Sequence, residues 1–347
     1  MPEKTYISRN YRSKFDAAGK AKIDCETILE ANGWKNVGLP RTTFTNGILN
    51  LAVNFVSVSI ALFRARSRSI MVLQYPFKKF YSYSLWVAQL RGCRVITIVH
   101  DVRCLKGKES FTQKELSVLA HSECLIVHND AMKKWFESHQ IKSKLVVLEV
   151  FDYLHTPMMD KATAATDIEK LRVVFAGNMG GKESFIYKLD EAPQGSYRVD
   201  LFGVGFESRN VQKPAASVLH YQGAFPSWEV IDRIDGDFGL VWYGESLDDC
   251  RGLIGEYLRY NSPHKFSLYI QCEMPIIIWN QAAMAAFVER FGIGFSVASL
   301  RDLQLKLENI SVDEYNNMKA KTIAVKNRLE RGGFLASALE GAERTLS

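Results

Sequence analysis

Between residues 70 and 148, apolar runs alternate with amphipathic stretches of helical length: IMVLQY, KFYSYSLWVAQLRG, RVITIVHD, TQKELSVLAHS, ECLIVHND, AMKKWFESHQ and KLVVLEV. The apolar runs are short and nearly continuous, which predicts strands buried on both faces, as parallel strands are between two helix layers. Upstream, TYISRN and WKNVGL predict two more strands, with a Lys-rich helix over 13–31 between them and a helix over 46–66 after them.

Around residues 152–170 the pattern lapses into HTPMMDKATAATDIEK, polar and small. It resumes with LRVVFAG, YRVDLFG, VLHYQG, FGLVWYG, MPIIIW and GIGFSV as strands, and with helices near PSWEVIDRI, HKFSLYIQ, AAMAAFVERF and LRDLQLKLENI. Two doubly wound α/β domains follow: 1–153, a linker over 154–170, and 171–331. Beyond Gly332-Gly333, residues 332–347 predict a terminal helix, which either caps its own domain or crosses to the first one.

The length of 347 residues suits two domains, each able to bury its own core. Six scattered cysteines without a CxxC pair indicate neither a zinc site nor a disulfide framework. The first residues, MPEKTYISRNYRSK, lack the apolar stretch expected of a signal peptide, and the longest apolar run, 48–63, is interrupted by Asn50, Asn54, Ser57 and Ser59. A cytosolic protein is expected. Net charge is +6, but residues 1–153 carry +10 and the remainder −4. A basic half favours anionic partners such as a membrane surface or nucleic acid, or is a solvated face. No basic and aromatic recognition motif supports nucleic acid.

The stretch YNSPHKFSLYIQCEMPIIIW carries the best local argument. Ser262 predicts an N-cap and Pro263 a first helical residue, so the amides of His264, Lys265 and Phe266 would be open to an anion. Lys265 is unfavourable against the positive end of the helix dipole by about 0.3–1 kcal/mol unless an anion sits there. Phe266, Tyr269 and Ile270 form the face expected on the sheet, which leaves Lys265 at the rim.

VVFAGNMGGK runs a strand into glycines and Lys182, allowing close backbone approach to a phosphate, but it matches neither GxGxxG nor GxxxxGK[ST]. Gly203 and Gly205 repeat the theme at a second strand end. Tyr243 and Glu245 follow another strand, where either could touch a sugar or a base. Asp235-Gly236-Asp237 precedes its strand, at the wrong edge for catalysis, and reads as a turn. His100 and Asp101 directly follow a buried strand, with no adjacent helix to explain them, and suit acid–base or hydroxyl-orienting work. At His128-Asn129-Asp130, Asn129 or Asp130 caps the next helix. QYPF ends another strand on the same edge. There is neither a nucleophile elbow nor HExxH to support a hydrolase.

The segments GNMGGK, YNSPHKFSLYIQCEMPIIIW, VLQYP and TIVHD resemble the bacterial family of β-1,6-galactofuranosyltransferases and related glucosyltransferases, over almost the whole chain. NSPHKFSLY is the most specific part. The resemblance implies a GT-B fold, two Rossmann-like domains around a deep interdomain cleft, and a Leloir enzyme that moves a galactofuranosyl or glucosyl group from a UDP-sugar to a glycan, glycolipid or glycoprotein hydroxyl. It implies the donor in the second domain and the acceptor in the first. By matched position, Asn178 and Lys182 lie beside the diphosphate or sugar, Tyr243 near the nucleotide, and Asn261 and Lys265 at the phosphates. Asp101, with His100 second, is the expected base or acceptor-orienting group. No metal or other cofactor is expected, because helix N-termini and basic side chains stabilise the leaving diphosphate in such folds. The basic first domain suits peripheral contact at the inner membrane face, and a homo-oligomer fits the family. The alternative is a non-catalytic nucleotide-sugar-binding partner of a transferase.

Overall fold

The computed structural model describes residues 2–12, 17–107, 110, 112–155, 171–180, 184–192, 197–211 and 217–346. The chain divides into two compact units, residues 1–152 with 332–347 and residues 153–331. The predicted helix start at 13–16, most of the predicted linker and Lys182 lie outside the described residues.

The first unit runs β1 (Lys4–Tyr6), α1 (Ala17–Ala31), β2 (Lys35–Asn36), α2 (Gly47–Arg64), β3 (Ile70–Tyr75), α3 (Tyr81–Leu90), β4 (Arg94–Val99), α4 (Thr112–Leu119), β5 (Cys124–Val127), α5 (Asp130–Ser138) and β6 (Lys144–Val147). Its six parallel strands lie in the order β2-β1-β3-β4-β5-β6. β3, β4 and β5 are apolar at almost every position and buried almost throughout, which is why they sit at the centre. Asn129 caps α5, its Oδ1 accepting from the Met132 amide at 3.0 Å. The strand order reverses between β1 and β3, so the loops after those two strands flank a crevice at their carboxyl ends, where α/β sheets bind ligands.

The helix α2 inverts the usual arrangement. Its inward residues are Asn54, Ser57, Val58 and Ala61. Asn54 accepts from the Asn10 amide at 2.9 Å and Ser57 donates to the Ser8 carbonyl at 2.7 Å, so the buried polar atoms are satisfied. The large apolar side chains face outward. The helix is long and apolar enough to cross a membrane, with mean hydropathy 1.6, although it packs on α3 within this unit.

The second unit runs β7 (Leu171–Ala176), α6 (Phe185–Lys188), β8 (Tyr197–Phe202), β9 (Leu219–Gly223), α7 (Val230–Arg233), β10 (Phe238–Val241), α8 (Leu253–Glu256), α9 (His264–Gln271), β11 (Ile276–Trp279), α10 (Ala285–Phe291), β12 (Gly294–Val297), α11 (Leu303–Glu308) and α12 (Val312–Leu329). The strands are again parallel, in the order β12-β11-β10-β7-β8-β9, and reverse direction of progress between β7 and β10. Asp235 and Asp237 form a brace at the amino edge, Asp235 Oδ2 lying 2.7 Å from Arg172 Nη1 and Asp237 Oδ2 accepting from the Arg172 amide at 2.7 Å. That is the structural role of a turn.

The last helix, α13 (Gly333–Leu346), belongs to the first unit, where Phe334, Leu335, Ala338, Leu339 and Ala342 are buried against β5, β6 and α1. Its first amides are anchored by the buried Asp152 carboxylate, which accepts from Phe334 at 3.1 Å and Leu335 at 2.7 Å.

Candidate functional site

In the second unit, β7 and β10 pair only at Phe238↔Val173 and Gly239↔Val174. Beyond that point the strands part, and the phenol of Tyr269 from α9 enters the gap. Its hydroxyl accepts from the Ala176 amide at 2.8 Å and donates to the Leu240 carbonyl at 3.1 Å. A side chain at 239 would collide with the Tyr269 ring, its Cβ falling 2.2 Å from Cγ, so glycine is required for α9 to lie this close to β10.

One turn earlier on α9, and therefore on the same face, stands Lys265. It is only 8% exposed. This corrects the expectation of a rim position: the i, i+4 spacing to Tyr269 turns the lysine toward the sheet. Its ammonium lies 3.8 Å from the centre of the Phe175 ring and 4.1 Å from that of Tyr243, and it has no hydrogen-bond partner. Burial pushes its pKa down to about 7, opposed weakly by the Cys250 thiol. Two aromatic faces hold a cation by cation–π attraction, yet leave its three N–H donors unused.

The N-terminus of α9 also differs from expectation. The N-cap is Pro263, not Ser262, and no side chain caps the helix. The Phe266 amide is used by the Pro263 carbonyl at 2.8 Å. Just before it, Asn261 buries an Oδ1 without a partner. The site is thus built from strand ends and one helix start, with an unmet ammonium at its centre.

The glycine loop after β7 runs beside these groups, Gly177 lying near enough that a Cβ there would come 3.2 Å from Lys265 Nζ. Asn178 is exposed, and its Oδ1 accepts from the Gly180 amide at 2.8 Å, closing the loop on itself. Gly203 supports that loop from β8. Its φ of +130° and a Cβ position 2.0 Å from the Gly177 carbonyl oxygen admit only glycine. Tyr243 is half-buried and stands two residues past β10, which ends at Val241, and Glu245 is exposed. Sequence reasoning missed Phe175 and Tyr269 as parts of the site; the i, i+4 relation between Lys265 and Tyr269 was the available signal.

In the first unit, His100 and Asp101 follow β4. His100 is buried and stacks on Phe151 at 5.0 Å between ring centres. Its Nε2 lies 2.7 Å from Gln74 Oε1, which assigns that nitrogen as a proton donor, while Gln74 Nε2 donates to the Lys22 carbonyl at 3.2 Å. Asp101 is half-buried and pairs with Lys106 at 2.6 Å. His128, at the end of β5, meets the edge of Phe151, and burial lowers its pKa to about 4. The two histidines and Asp101 therefore gather at one sheet edge. Arg9 and Tyr11, in the loop after β1, reach the same edge and were missed, because nothing in the local sequence marks them. Among the described residues, no group of three potential metal-binding side chains comes together.

The family model for the N-terminal domain of glucosyltransferase 3-like proteins matches residues 4–150, and the model for the C-terminal domain matches residues 173–342. The chain is 28% identical over 332 residues to the β-1,6-galactofuranosyltransferase WbbI of Escherichia coli (strain K12), covering 94% of both chains. It is 23% identical over 249 residues to glucosyltransferase 3 of Streptococcus gordonii, covering 71% of this chain and 70% of that protein. Solved structures of the same fold include the N-terminal domain of Candida albicans trehalose-6-phosphate phosphatase, with TM-score 0.59, 8% identity and coverage of 99% and 97%. Another is AviGT4, a glycosyltransferase involved in avilamycin A biosynthesis, with TM-score 0.54, 10% identity and coverage of 100% and 98%.

Proposed function

The chain belongs to the glucosyltransferase 3-like family, and from that premise we propose that it transfers a hexosyl group, galactofuranosyl or glucosyl, from a UDP-sugar to a hydroxyl of a glycan, glycolipid or glycoprotein. It is a hexosyltransferase of GT-B fold, built on two parallel six-stranded units. The alternative of a non-catalytic partner finds no support, since the relatives matched along both domains are named as transferases.

The carrying observation is Lys265: a buried ammonium without a hydrogen-bond acceptor, at the strand-order reversal where α/β sheets bind ligands. The donor diphosphate would supply the missing acceptors, with the start of α9 adding its positive end. Asn261 contributes its carboxamide, and the backbone after β7 admits the phosphates at Gly177. Tyr243 offers its ring to the nucleotide or sugar. Asn178 shapes the glycine loop, and Lys182 adds a second positive charge after it.

In the reaction, the bond between the anomeric carbon and the β-phosphate oxygen breaks and its electron pair leaves with UDP. Lys265 stabilises the charge that develops there, a larger stabilisation in the transition state than in the bound donor. The acceptor oxygen forms the new bond to the anomeric carbon and gives up its proton. Asp101, held by Lys106, is the group assigned to that proton or to orienting the acceptor. His100 is a positioning residue, because its Nε2–H is committed to Gln74. On this reading the donor needs no metal ion, the counter-charge being the lysine. The basic first unit suits an anionic acceptor at the inner membrane face.

The test is titration of UDP into wild type and Lys265→Met, followed by product analysis with UDP-glucose and UDP-galactofuranose. Loss of a charge-assisted hydrogen bond, worth about 2 kcal/mol, should weaken UDP roughly 30-fold. Unchanged affinity in a folded Lys265→Met protein would falsify the assignment.

A further inference from the structure

At the β1/β3 crevice of the first unit lies a cavity of about 740 Å³. Arg9, Arg12, Lys22, Lys78 and Lys79 line it, and among the described lining residues there is no carboxylate. Arg9 is the informative member. It is 8% exposed, its Nη1 donates to the Pro76 carbonyl at 3.0 Å, and its guanidinium lies 4.9 Å from the Phe77 ring centre. Its Nη2 is buried without a hydrogen-bond partner. Burying a guanidinium with a donor unmet is costly unless an acceptor arrives. The other cations are arranged around the same volume, so the missing acceptor is an anion, and guanidinium plus ammonium groups fit phosphate oxygens.

One wall of this cavity is α2, through Leu51, which is also 48% exposed on the outer face of the helix. That face continues through Ile48 and Phe63, each 82% exposed, and Phe55. Phe55 stacks on Tyr83 and Tyr83 on Trp86, a surface ladder with ring centres 5.6 and 5.8 Å apart. Exposed Arg64, Arg66 and Arg68 stand at the far end of the helix. The inward side of α2 is made of Asn54, Ser57, Val58 and Ala61, so its large, exposed apolar residues Ile48, Leu51, Phe55 and Phe63 do not serve this unit's core. An apolar helical face bordered by cations is the chemistry of a helix lying in the interface of an anionic bilayer.

We propose that the cavity binds the phosphate or diphosphate of a lipid-linked acceptor, whose hydrocarbon chain runs along the outer face of α2 within the membrane surface. This rests on the reading of the first unit as the acceptor-binding one. The site adjoins the candidate acid–base residues, because Gln74 joins the Lys22 carbonyl to His100. A sugar attached to a phosphate held by Arg9 and Lys79 would therefore present its hydroxyls beyond the end of β3, toward β4.

The experiment uses the full chain and phosphatidylcholine vesicles containing phosphatidic acid, whose headgroup is a bare phosphomonoester. Wild type should float with these vesicles and not with phosphatidylcholine alone, and inorganic pyrophosphate should compete. The Lys78→Ala/Lys79→Ala double variant, altered only at exposed positions, should bind at least 10-fold more weakly, as should Phe55→Ser/Phe63→Ser, both with wild-type thermal midpoints. Equal vesicle binding by the lysine variant, or by phosphatidylserine vesicles of the same charge density, would overturn the cavity assignment. Pyrophosphate binding without vesicle binding would overturn the lipid part in favour of a soluble phosphorylated acceptor. A wild-type dimer that Phe55→Ser/Phe63→Ser dissociates in light scattering would assign α2 to a second copy of the chain and overturn it too. UDP affinity, read in the same samples, reports the donor site separately.

Discussion

The Lys265 ammonium lies 4.1 Å from the centre of the Tyr243 ring, and it is Phe175, not a carboxylate, that faces it on the other side. An ion pair would have satisfied the lysine, whereas two rings leave its N–H donors without an acceptor, which the proposed donor diphosphate would supply. Burial pushes its pKa down to about 7, so near neutral pH the side chain gives up its proton far more readily than an ordinary lysine. A bound diphosphate favours the charged form, so binding must be accompanied by proton uptake. We expect UDP titrations at pH 8 to give apparent enthalpies that vary with the ionisation enthalpy of the buffer. Lys265→Met should remove that dependence.

The same group sets a stability trend. Its folded pKa of about 7 is below the ordinary 10.5, so between those values the unfolded chain binds more protons than the folded one. Stability therefore rises with pH across that window, and below pH 7 the cost of the buried charge is fully present. We expect the difference in melting temperature between Lys265→Met and wild type to be largest below pH 7, favouring the variant, and to shrink as pH rises toward 10. Parallel melting curves at all pH values would contradict this.

Tyr269 gives a separable effect on the same helix. Replacing it by Phe removes the acceptor for the Ala176 amide and the donor to the Leu240 carbonyl while keeping the ring over Gly239. Leaving buried backbone groups unmet costs about 1–3 kcal/mol each. Urea unfolding should show Tyr269→Phe destabilised by about 2 kcal/mol or more, the opposite sign from Lys265→Met at neutral pH.

The contrast between these neighbours shows what sequence conveys. The strands were legible because runs such as IMVLQY and MPIIIW fit only a sheet buried on both faces, and every one of the later strands appears where its apolar run stands. The one-turn helices α6 and α8 carry no periodicity and were illegible. Lys265 stood out in sequence as a candidate for an anion, but not as a buried group: on a helix with apolar neighbours a lysine reads as peripheral, and only the partner strands fix which face it joins. Arg9 was invisible because its cavity is assembled from loops 67 residues apart in sequence. The inversion of α2 was hidden for the same reason, as Asn54 and Ser57 find their partners at Asn10 and Ser8.

His128 gives an acid-side expectation. Burial lowers its pKa to about 4 against the ordinary 6.5; the nearby Asp101 carboxylate and the Val99 and His100 backbone favour its charged form, and Lys106 opposes it. Between pH 6.5 and 4 the unfolded chain takes up a proton that the folded chain refuses, so stability falls as pH drops through that window. His128→Phe should flatten this part of the stability profile, as measured by urea midpoints at pH 7 and pH 5.

Asp152 ties the end of the chain to the first unit. Its two oxygens accept from the first amides of α13, which carry the helix's positive end, and its own burial makes this a fixed anchor. Removal by Asp152→Ala leaves two buried donors unmet at the one attachment that precedes the apolar face of the helix. A loss of about 2 kcal/mol is expected, concentrated in α13 because the strands beneath it keep their own pairing. Hydrogen exchange read peptide by peptide should show faster exchange over 334–346 in Asp152→Ala, with β3 and β4 unchanged; uniform loss of protection across the unit would mean that α13 unfolds only with the whole sheet.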